Sequence, residues 1–554
     1  MENELLVARK YAVKNAFEHD GKAQAGAVVG KVKALFPEAD LGKVAPEVAK
    51  VVAIVNKLSK TELEVEYKKF EAEGWELKHV EKEKTLPELD WFKSGMKLIT
   101  RVAPNPNGVM HFGHARPSVL TDEYVKKYGG KFILRFDDTD PKVKKPVAGI
   151  EKDFIADYTW LGVKFHETAS ASDRLERYYE VIEKLLSDGM AYVCSCESEA
   201  WRKLIWAKKG CKCREREVKI QLADWKKMLA HEIKEEEAVV RMKTDLKNPD
   251  PSERDWWIAK IVDVVEHPNP RARDKHVWPS YNLASAVDDH DMNINFIIRG
   301  QEHMTNGDKQ KVLYEHFGWE YPHCYYHGKI SKLGDMTLSK SKMKLIMEQL
   351  GVERYDDPRM ATIKAFKRRG FTPEAIRKVI LDCGLSLKEV KITTDMFAAA
   401  NKIFLGEKNE YPFFEEPIQM EINNLTSGEA ENYGEEIKFG GGIAKFFVNK
   451  KEIVKQKKGS MVRFKKAFNA KVEEISEYNA RAMFVSYMKS DYPIISWIKD
   501  TIDAEIILND GTIRLGVTSK NILKENGVVR IEGIGYANIE EKTKDKIKLI
   551  FAHE

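Results

Sequence analysis

Between Lys97 and Phe136 the sequence lays out a strand, a dense turn, a helix and a second strand, and this succession constrains the fold more than any other stretch of the chain. Lys97-Leu98-Ile99-Thr100-Arg101-Val102 has the length and apolar content of a buried strand. Pro104-Asn105-Pro106-Asn107-Gly108 is turn chemistry, and the helix that follows through His114 to Tyr128 meets its stop at Gly129-Gly130. Phe132-Ile133-Leu134-Arg135-Phe136 supplies the second strand. A strand–helix–strand unit of this length predicts a parallel α/β sheet. Helices are predicted near 149–161 and 173–188, a strand over 293–300, a helix over 303–317 and more helix over 345–405.

The rest of the chain has other textures. Residues 1–95 read as helical: Val28, Val29, Val32, Leu35 and Phe36 recur at helical spacing, and Ser59-Lys60-Thr61-Glu62 has the form of a capping box. Residues 190–280 read as an insertion with a cysteine cluster, basic helices and Trp256-Trp257. Beyond Glu410 short β runs such as 504–508, 513–517 and 528–532 alternate with turn signals, Asn509-Asp510-Gly511 among them, which predicts small barrels. A chain of 554 residues exceeds one domain. At ~100–200 residues each, about three to five domains are expected. No apolar run approaches the ~20 residues that span a bilayer and no secretory signal is visible, so a cytoplasmic protein is expected. The formal net charge of +5 is small against 92 basic residues, so a nucleic-acid partner would be held by local patches.

Chemistry concentrates in two short pieces. A strand that feeds a glycine-containing turn and a helix N-terminus is a ready anion site, and His111 and His114 project from one face of that first turn. There they could donate to charge developing on a phosphate, while Gly113 would let a nucleotide approach the backbone. By itself, this pattern reads more readily as surface or capping histidines. Far downstream, Leu338-Ser339-Lys340-Ser341-Lys342 would bring ammonium groups to phosphates, or be a solvated basic loop.

In this order, His111-Phe112-Gly113-His114 and Thr337-Leu338-Ser339-Lys340-Ser341 resemble the two signatures of class I aminoacyl-tRNA synthetases. Phe112 and Thr337-Leu338 depart from the usual residues but spare the histidines, the glycine and the central lysine. The flanks, 101–108 and Arg135-Phe136-Asp137-Asp138-Thr139-Asp140-Pro141, are similar to the glutamyl/glutaminyl group over about 97–405. The β-rich C-terminal part resembles glutaminyl-type anticodon barrels, the combination found in archaeal-type glutamyl enzymes. The resemblance implies His111, His114 and Lys340 as catalytic, with Gly113 and Ser339 also at ATP. It implies Arg101 at the substrate carboxylate, Asp137 at its ammonium, Tyr281 closing the pocket and Arg299 at the side-chain end. A guanidinium there would pair bidentately with a γ-carboxylate, although an ion pair from Arg299 to Glu302 is the alternative.

Cys194-Ser195-Cys196 and Cys211-Lys212-Cys213 could place four thiolates around one structural Zn²⁺, with chance clustering or redox-active thiols as the alternatives. Arg463-Phe464-Lys465-Lys466-Ala467-Phe468 mixes cations with aromatics, as a surface for phosphates and unstacked bases would.

The resemblance therefore implies an α/β class I synthetase made of a helical domain (1–95), a Rossmann-type catalytic domain in two halves (96–189 and 281–344), an inserted acceptor-binding domain (190–280), a helical connector (345–408) and anticodon-binding β-barrels (409–554). It implies a monomeric ligase for glutamate and tRNA(Glu) that uses ATP with Mg²⁺, with tRNA(Gln) as an open second acceptor. A glutaminyl-tRNA synthetase, and a nucleotidylyltransferase or tRNA-binding paralogue, are the rivals.

Overall fold

Gly130 shows why helix Phe112–Tyr128 must end where it does. Its φ is +122°, and a Cβ there would stand 2.0 Å from the Leu98 carbonyl oxygen. Only glycine lets the chain turn so closely that the Lys131 amide donates to that carbonyl at 2.7 Å and starts the second strand. The structure, a computed structural model, describes residues 2–18, 21–36, 39–72, 86–334, 336, 343, 345, 347–349, 351 and 355–554. It forms two compact units, Met1–Glu83 and Lys84–Glu554.

The first unit holds helices Glu2–Glu18, Ala25–Leu35, Leu41–Val55 and Lys60–Ala72. Small and β-branched residues at helical spacing, among them Ala12, Val32, Val48 and Val52, form its core. The expected capping box is present: the Ser59 amide donates to Glu62 Oε2 at 2.8 Å and the Glu62 amide to Ser59 Oγ at 3.3 Å.

In the second unit, a five-stranded parallel sheet runs in the order Glu167–Ser170, Lys131–Phe136, Ile99–Val102, Phe296–Gly300, His323–His327. Helix Phe112–Tyr128 packs against it, with Phe112, Ala115, Val119 and Leu120 buried in the largest core of the molecule. The strand order reverses between Ile99–Val102 and Phe296–Gly300, where crossovers diverge and leave a crevice at the strands' carboxyl ends. Between Ala191 and Pro279 the chain departs into a four-stranded antiparallel sheet, Ala191–Cys194, Val239–Met242, Trp257–Ile261 and Val277–Pro279.

Two expectations need correction. The stretch read as helical over 345–405 contains helices Ile363–Arg369, Pro373–Cys383 and Thr394–Leu405, but also a strand, Val390–Ile392, that pairs in parallel with Ile330–Leu333. Pairing with a partner distant in sequence overrides the local pattern there. Beyond residue 409 the chain does form two barrel-like sheets, of six and seven strands, with the Asn509–Gly511 turn joining Thr501–Ile507 to Ile513–Ser519. The mixed cation–aromatic run is not a stacking surface, however. Phe464 and Phe468 are fully buried, Lys465 pairs with Glu410 and Glu532, and Lys466 pairs with Glu431. Phe464 ends strand Met461–Phe464, and Phe468 sits in the turn before strand Asn469–Ile475, where both rings pack into the barrel core. Among the described residues, no helix is long and apolar enough to cross a membrane.

Candidate active site

A cleft of about 1090 Å³ opens at the strand-order reversal. His111, Gly113 and His114 line it, as do Arg101, Asp137, Tyr281 and Arg299. Residues separated by as much as 198 positions in the sequence thus share one wall. Ser339 and Lys340, with the rest of their signature, lie outside the described residues.

The two histidines build the start of their own helix. His111 is its N-cap: Nδ1 accepts the Gly113 amide at 3.1 Å, and His114 Nδ1 accepts the His111 amide at 3.3 Å. An Nδ1 that accepts cannot carry the proton, so both neutral rings hold it on Nε2 and present that edge as a donor. The rings stack at 3.9 Å between centroids, which fixes them relative to one another. A Cβ on Gly113 would come 2.9 Å from His111 Cε1, so this glycine gives the ring its room.

Three arginines project from the carboxyl ends of three adjacent strands, and their partners differ. Arg101 donates from Nε and Nη2 to Asp289 at 2.8 and 2.7 Å, and from Nη2 to Ser285 Oγ at 3.1 Å. Burial opposes its charge, and Asp289 more than restores it, so its pKa rises. Arg135 donates from Nε to Asp288 Oδ2 at 2.5 Å and from Nη1 to Asp137 Oδ1 at 3.1 Å. Asp288 also accepts from Arg174 and Tyr178, both at 2.6 Å. Two successive carboxylates on helix Tyr281–Asp291 therefore clamp two strands, while the same helix, capped by Ser280 Oγ, presents Tyr281 to the cleft.

Arg299 has no such carboxylate. Its Nη1 donates to Gln310 Oε1 at 3.0 Å, and its Nη2 to the hydroxyls of Tyr321 at 2.8 Å and Tyr326 at 3.3 Å. Cys324 Sγ lies 3.6 Å away, and Nε is buried without a partner. The alternative pairing with Glu302 is absent among the described residues. Arg299 is 5% exposed, and although burial opposes its charge, Cys324 and the surrounding tyrosines more than offset this, so its pKa rises. A buried cation in a neutral cradle favours an anionic ligand. Burial, followed by Arg299 and Arg101, holds the neighbouring His303 imidazole down to about 4, so it is neutral at physiological pH. Gly307 leaves space for this cradle, since a Cβ there would lie 2.8 Å from Arg299 Nη2 and 2.9 Å from each tyrosine hydroxyl. Overpacking by one methyl costs ~1–3 kcal/mol. Gly307→Ala is expected to weaken binding of an anionic ligand at Arg299 by about tenfold, as read by titration calorimetry.

The cleft continues into the inserted sheet, where Trp201, Trp206, Trp257, Arg202, Arg241 and Lys260 line it. The Arg241 guanidinium lies 3.4 Å from the Trp201 ring centre, and Trp206 is 66% exposed. Behind Trp201 stand Cys194, Cys196, Cys211 and Cys213, whose sulfurs all lie within 4.8 Å of one another. Cys194–Cys211 is 3.8 Å and Cys196–Cys213 is 3.7 Å, far from disulfide bonding and all free. Tetrahedral Zn²⁺ with bonds of ~2.3 Å requires sulfur–sulfur spacings of ~3.8 Å, so the donor set fits that ion. The hydrogen bond from Cys194 is the main reason the Cys211 thiol is pulled down to about 5.

Sequence reasoning singled out the histidines, Arg101, Asp137, Tyr281 and Arg299, which share the cleft, and the four cysteines, which cluster. It missed Asp288 and Asp289, the Gln310–Tyr321–Tyr326 cradle and the Trp201–Arg241 stack. An acidic pair in a helix otherwise buried was the only available signal for the first, and the others carried none.

A family model described as tRNA synthetases class I (E and Q), catalytic domain, matches residues 97–406. The chain is 42% identical to a glutamate–tRNA ligase of Pyrococcus furiosus, covering 100% of both chains. It is 41% identical to that of Pyrococcus abyssi over 99% of both, and 38% identical to that of Sulfurisphaera tokodaii over 98% of both.

Proposed function

We propose that this chain, which belongs to the glutamyl/glutaminyl (E and Q) family of class I tRNA synthetases, works as a glutamate–tRNA ligase of the archaeal type. The observation that carries the choice of glutamate is Arg299, the one strand-end arginine of the three whose partners are all neutral. A γ-carboxylate completes its pairing, whereas a γ-amide leaves the cation uncompensated.

In the first step an oxygen of the glutamate α-carboxylate attacks the α-phosphorus of ATP and pyrophosphate leaves. That carboxylate is already ionised at neutral pH, so positioning and charge stabilisation do the catalysis without a general base. His111 and His114 donate from Nε2 to phosphate oxygens as charge develops, assisted by Lys340, and Mg²⁺ arriving with ATP neutralises the phosphates. Ser339 and the Gly113 backbone contact the nucleotide. Arg101 offers its remaining nitrogen to the α-carboxylate, Asp137 takes the ammonium, and Tyr281 closes the pocket. In the second step a hydroxyl of the tRNA's terminal adenosine attacks the carbonyl carbon and AMP leaves. The tryptophan- and arginine-lined extension suits the unstacked 3′ end, by stacking and phosphate contact.

The division of labour follows: 1–95 an appended helical domain, 96–189 and 281–344 the catalytic halves, 190–280 the acceptor-binding insertion, 345–408 the connector, and 409–554 the anticodon-binding barrels. We place the enzyme in the cytoplasm as a monomer. ATP–pyrophosphate exchange in the presence of tRNA tests the assignment: glutamate drives exchange and glutamine does not, and exchange driven by glutamine alone overturns it. Charging purified tRNA(Glu) and tRNA(Gln) side by side defines the acceptor range.

The four cysteines would hold a Zn²⁺, and its role would be structural, because a closed sulfur shell leaves no open catalytic position. Its expected effect is on the acceptor subsite, through Trp201 packed on the cluster. Elemental analysis is expected to give one zinc per chain. Stripping it, or Cys211→Ser, is expected to raise the KM for tRNA by about tenfold while glutamate KM changes less than about twofold.

A further inference from the structure

On its way back to the parallel sheet, the inserted segment lays a histidine against the turn that carries Asp137. The His267 side chain is fully buried, with Nε2 2.9 Å from the Asp138 carbonyl oxygen and 3.7 Å from its carboxylate. A carbonyl only accepts, so Nε2 carries the proton, and Nδ1 accepts the Asn269 amide at 3.1 Å. Both ring nitrogens are thus engaged and the orientation has no alternative.

The Asp138 carboxylate is held separately. It accepts the Ser172 amide at 2.8 Å and the Ser172 hydroxyl at 2.5 Å, and Asn269 Nδ2 donates to that hydroxyl at 2.8 Å. Three segments distant in sequence close one buried network. It lies behind the cleft, since Asp137 lines the wall while Asp138, Ser172, His267 and Asn269 do not. The His267 ring also stacks on buried Trp278 at 5.3 Å. Trp278 precedes Ser280 by two residues, and Ser280 caps the helix that opens with Tyr281. One imidazole therefore touches the turn behind Asp137 and the strand that leads to Tyr281.

We infer that His267 is a positioning residue for glutamate, setting Asp137 and Tyr281 at their working separation through the Asp138 carbonyl on one side and Trp278 on the other. The inference rests on the reading of Asp137 as partner of the substrate's ammonium. Arg135 holds the Asp137 carboxylate from the strand side, Asn105 Nδ2 and the Pro104 carbonyl oxygen hold its backbone, and His267 holds the Asp138 carbonyl one peptide further on. Removing the His267 support loosens the turn on its far side and lets the carboxylate drift, and a misplacement of ~1 Å weakens a charge-assisted contact severely.

The test compares two amides at one position in the full-length enzyme. His267→Gln reaches the Nε2 position and keeps a donor for Asp138, whereas His267→Asn reaches only Nδ1 and keeps the acceptor for Asn269. In ATP–pyrophosphate exchange, His267→Asn is expected to raise the glutamate KM about tenfold, with kcat and the ATP KM within about twofold, and His267→Gln to recover most of it. Combined with Asp137→Asn, His267→Asn should add less than its single-variant factor, because both act on one contact. Equal glutamate KM in the Gln and Asn variants overturns the inference, as does a parallel change in kcat and ATP KM that tracks a fall in Tm. Asp137→Asn alone judges the underlying reading: an unchanged glutamate KM there rejects Asp137 as the ammonium partner, separately from any effect at His267.

Discussion

Arg299→Gln is expected to lower kcat/KM for glutamate by about a thousandfold, because the substrate would bury a γ-carboxylate with no cation opposite it. Breaking a buried, hydrogen-bonded charge pair by removing one partner costs ~3–5 kcal/mol, and ~1.4 kcal/mol is a factor of ten. No neighbour can substitute. Arg101 has two nitrogens on Asp289, and Arg135 is shared between Asp288 and Asp137. Arg299→Lys should recover only part of the loss, since an ammonium is a point charge and Gln310, Tyr321 and Tyr326 are arranged around a planar fork. The loss should fall on glutamate KM and kcat/KM while the ATP KM stays within about twofold. Discrimination between glutamate and glutamine should collapse in Arg299→Gln, because the remaining neutral cradle no longer favours an anion. Retention of full glutamate selectivity in that variant would show that the choice of substrate is made elsewhere.

How much of this was readable beforehand depended on whether the signal was local. The strand, turn, helix and second strand over 97–136 follow from apolar runs and from the glycines at 129 and 130, all within one unit of chain. The capping box at Ser59–Glu62 was equally local and is formed. His111, Gly113 and His114 were legible because the helix start that displays them is built by those same residues. What stayed hidden was tertiary. Asp289 meets Arg101 across 188 positions, and Asp288 meets Arg135 across 153. The tyrosines and glutamine around Arg299 are ordinary residues until strand His323–His327 pairs beside Phe296–Gly300. Phe464 and Phe468 failed for a different reason: their neighbours' charges suggested an RNA surface, but the strand end and the turn that carry the two rings fold them into the barrel core. Arg299 itself was picked by resemblance, and its neutral surroundings give a physical reason that no motif contained.

The largest effect on chemistry is expected at the two histidines, where the fold supplies an unusually clean test. On the proposed reading each imidazole has two jobs on two nitrogens: Nδ1 caps the helix, and Nε2–H is the donor to phosphate. Asparagine is among the best N-cap residues, and glutamine suits the third helical position of a capping box. His111→Asn and His114→Gln therefore preserve the helix start and delete the imidazole Nε2–H. Losing one preorganised donor to developing phosphate charge typically lowers turnover by ~10²–10³. Each variant is expected to show that loss in kcat for ATP–pyrophosphate exchange, with Tm unchanged, because the cap, worth ~1 kcal/mol, is retained. His111→Ala removes the cap as well, so it should lose both turnover and Tm. The double variant His111→Asn with His114→Gln should fall short of the product of the single effects, because stacked rings 3.9 Å apart serve the same phosphate charge. Unimpaired turnover in the two capped variants, alongside a lowered Tm in His111→Ala, would reduce the histidines to helix caps and leave the phosphate chemistry to the lysine signature downstream.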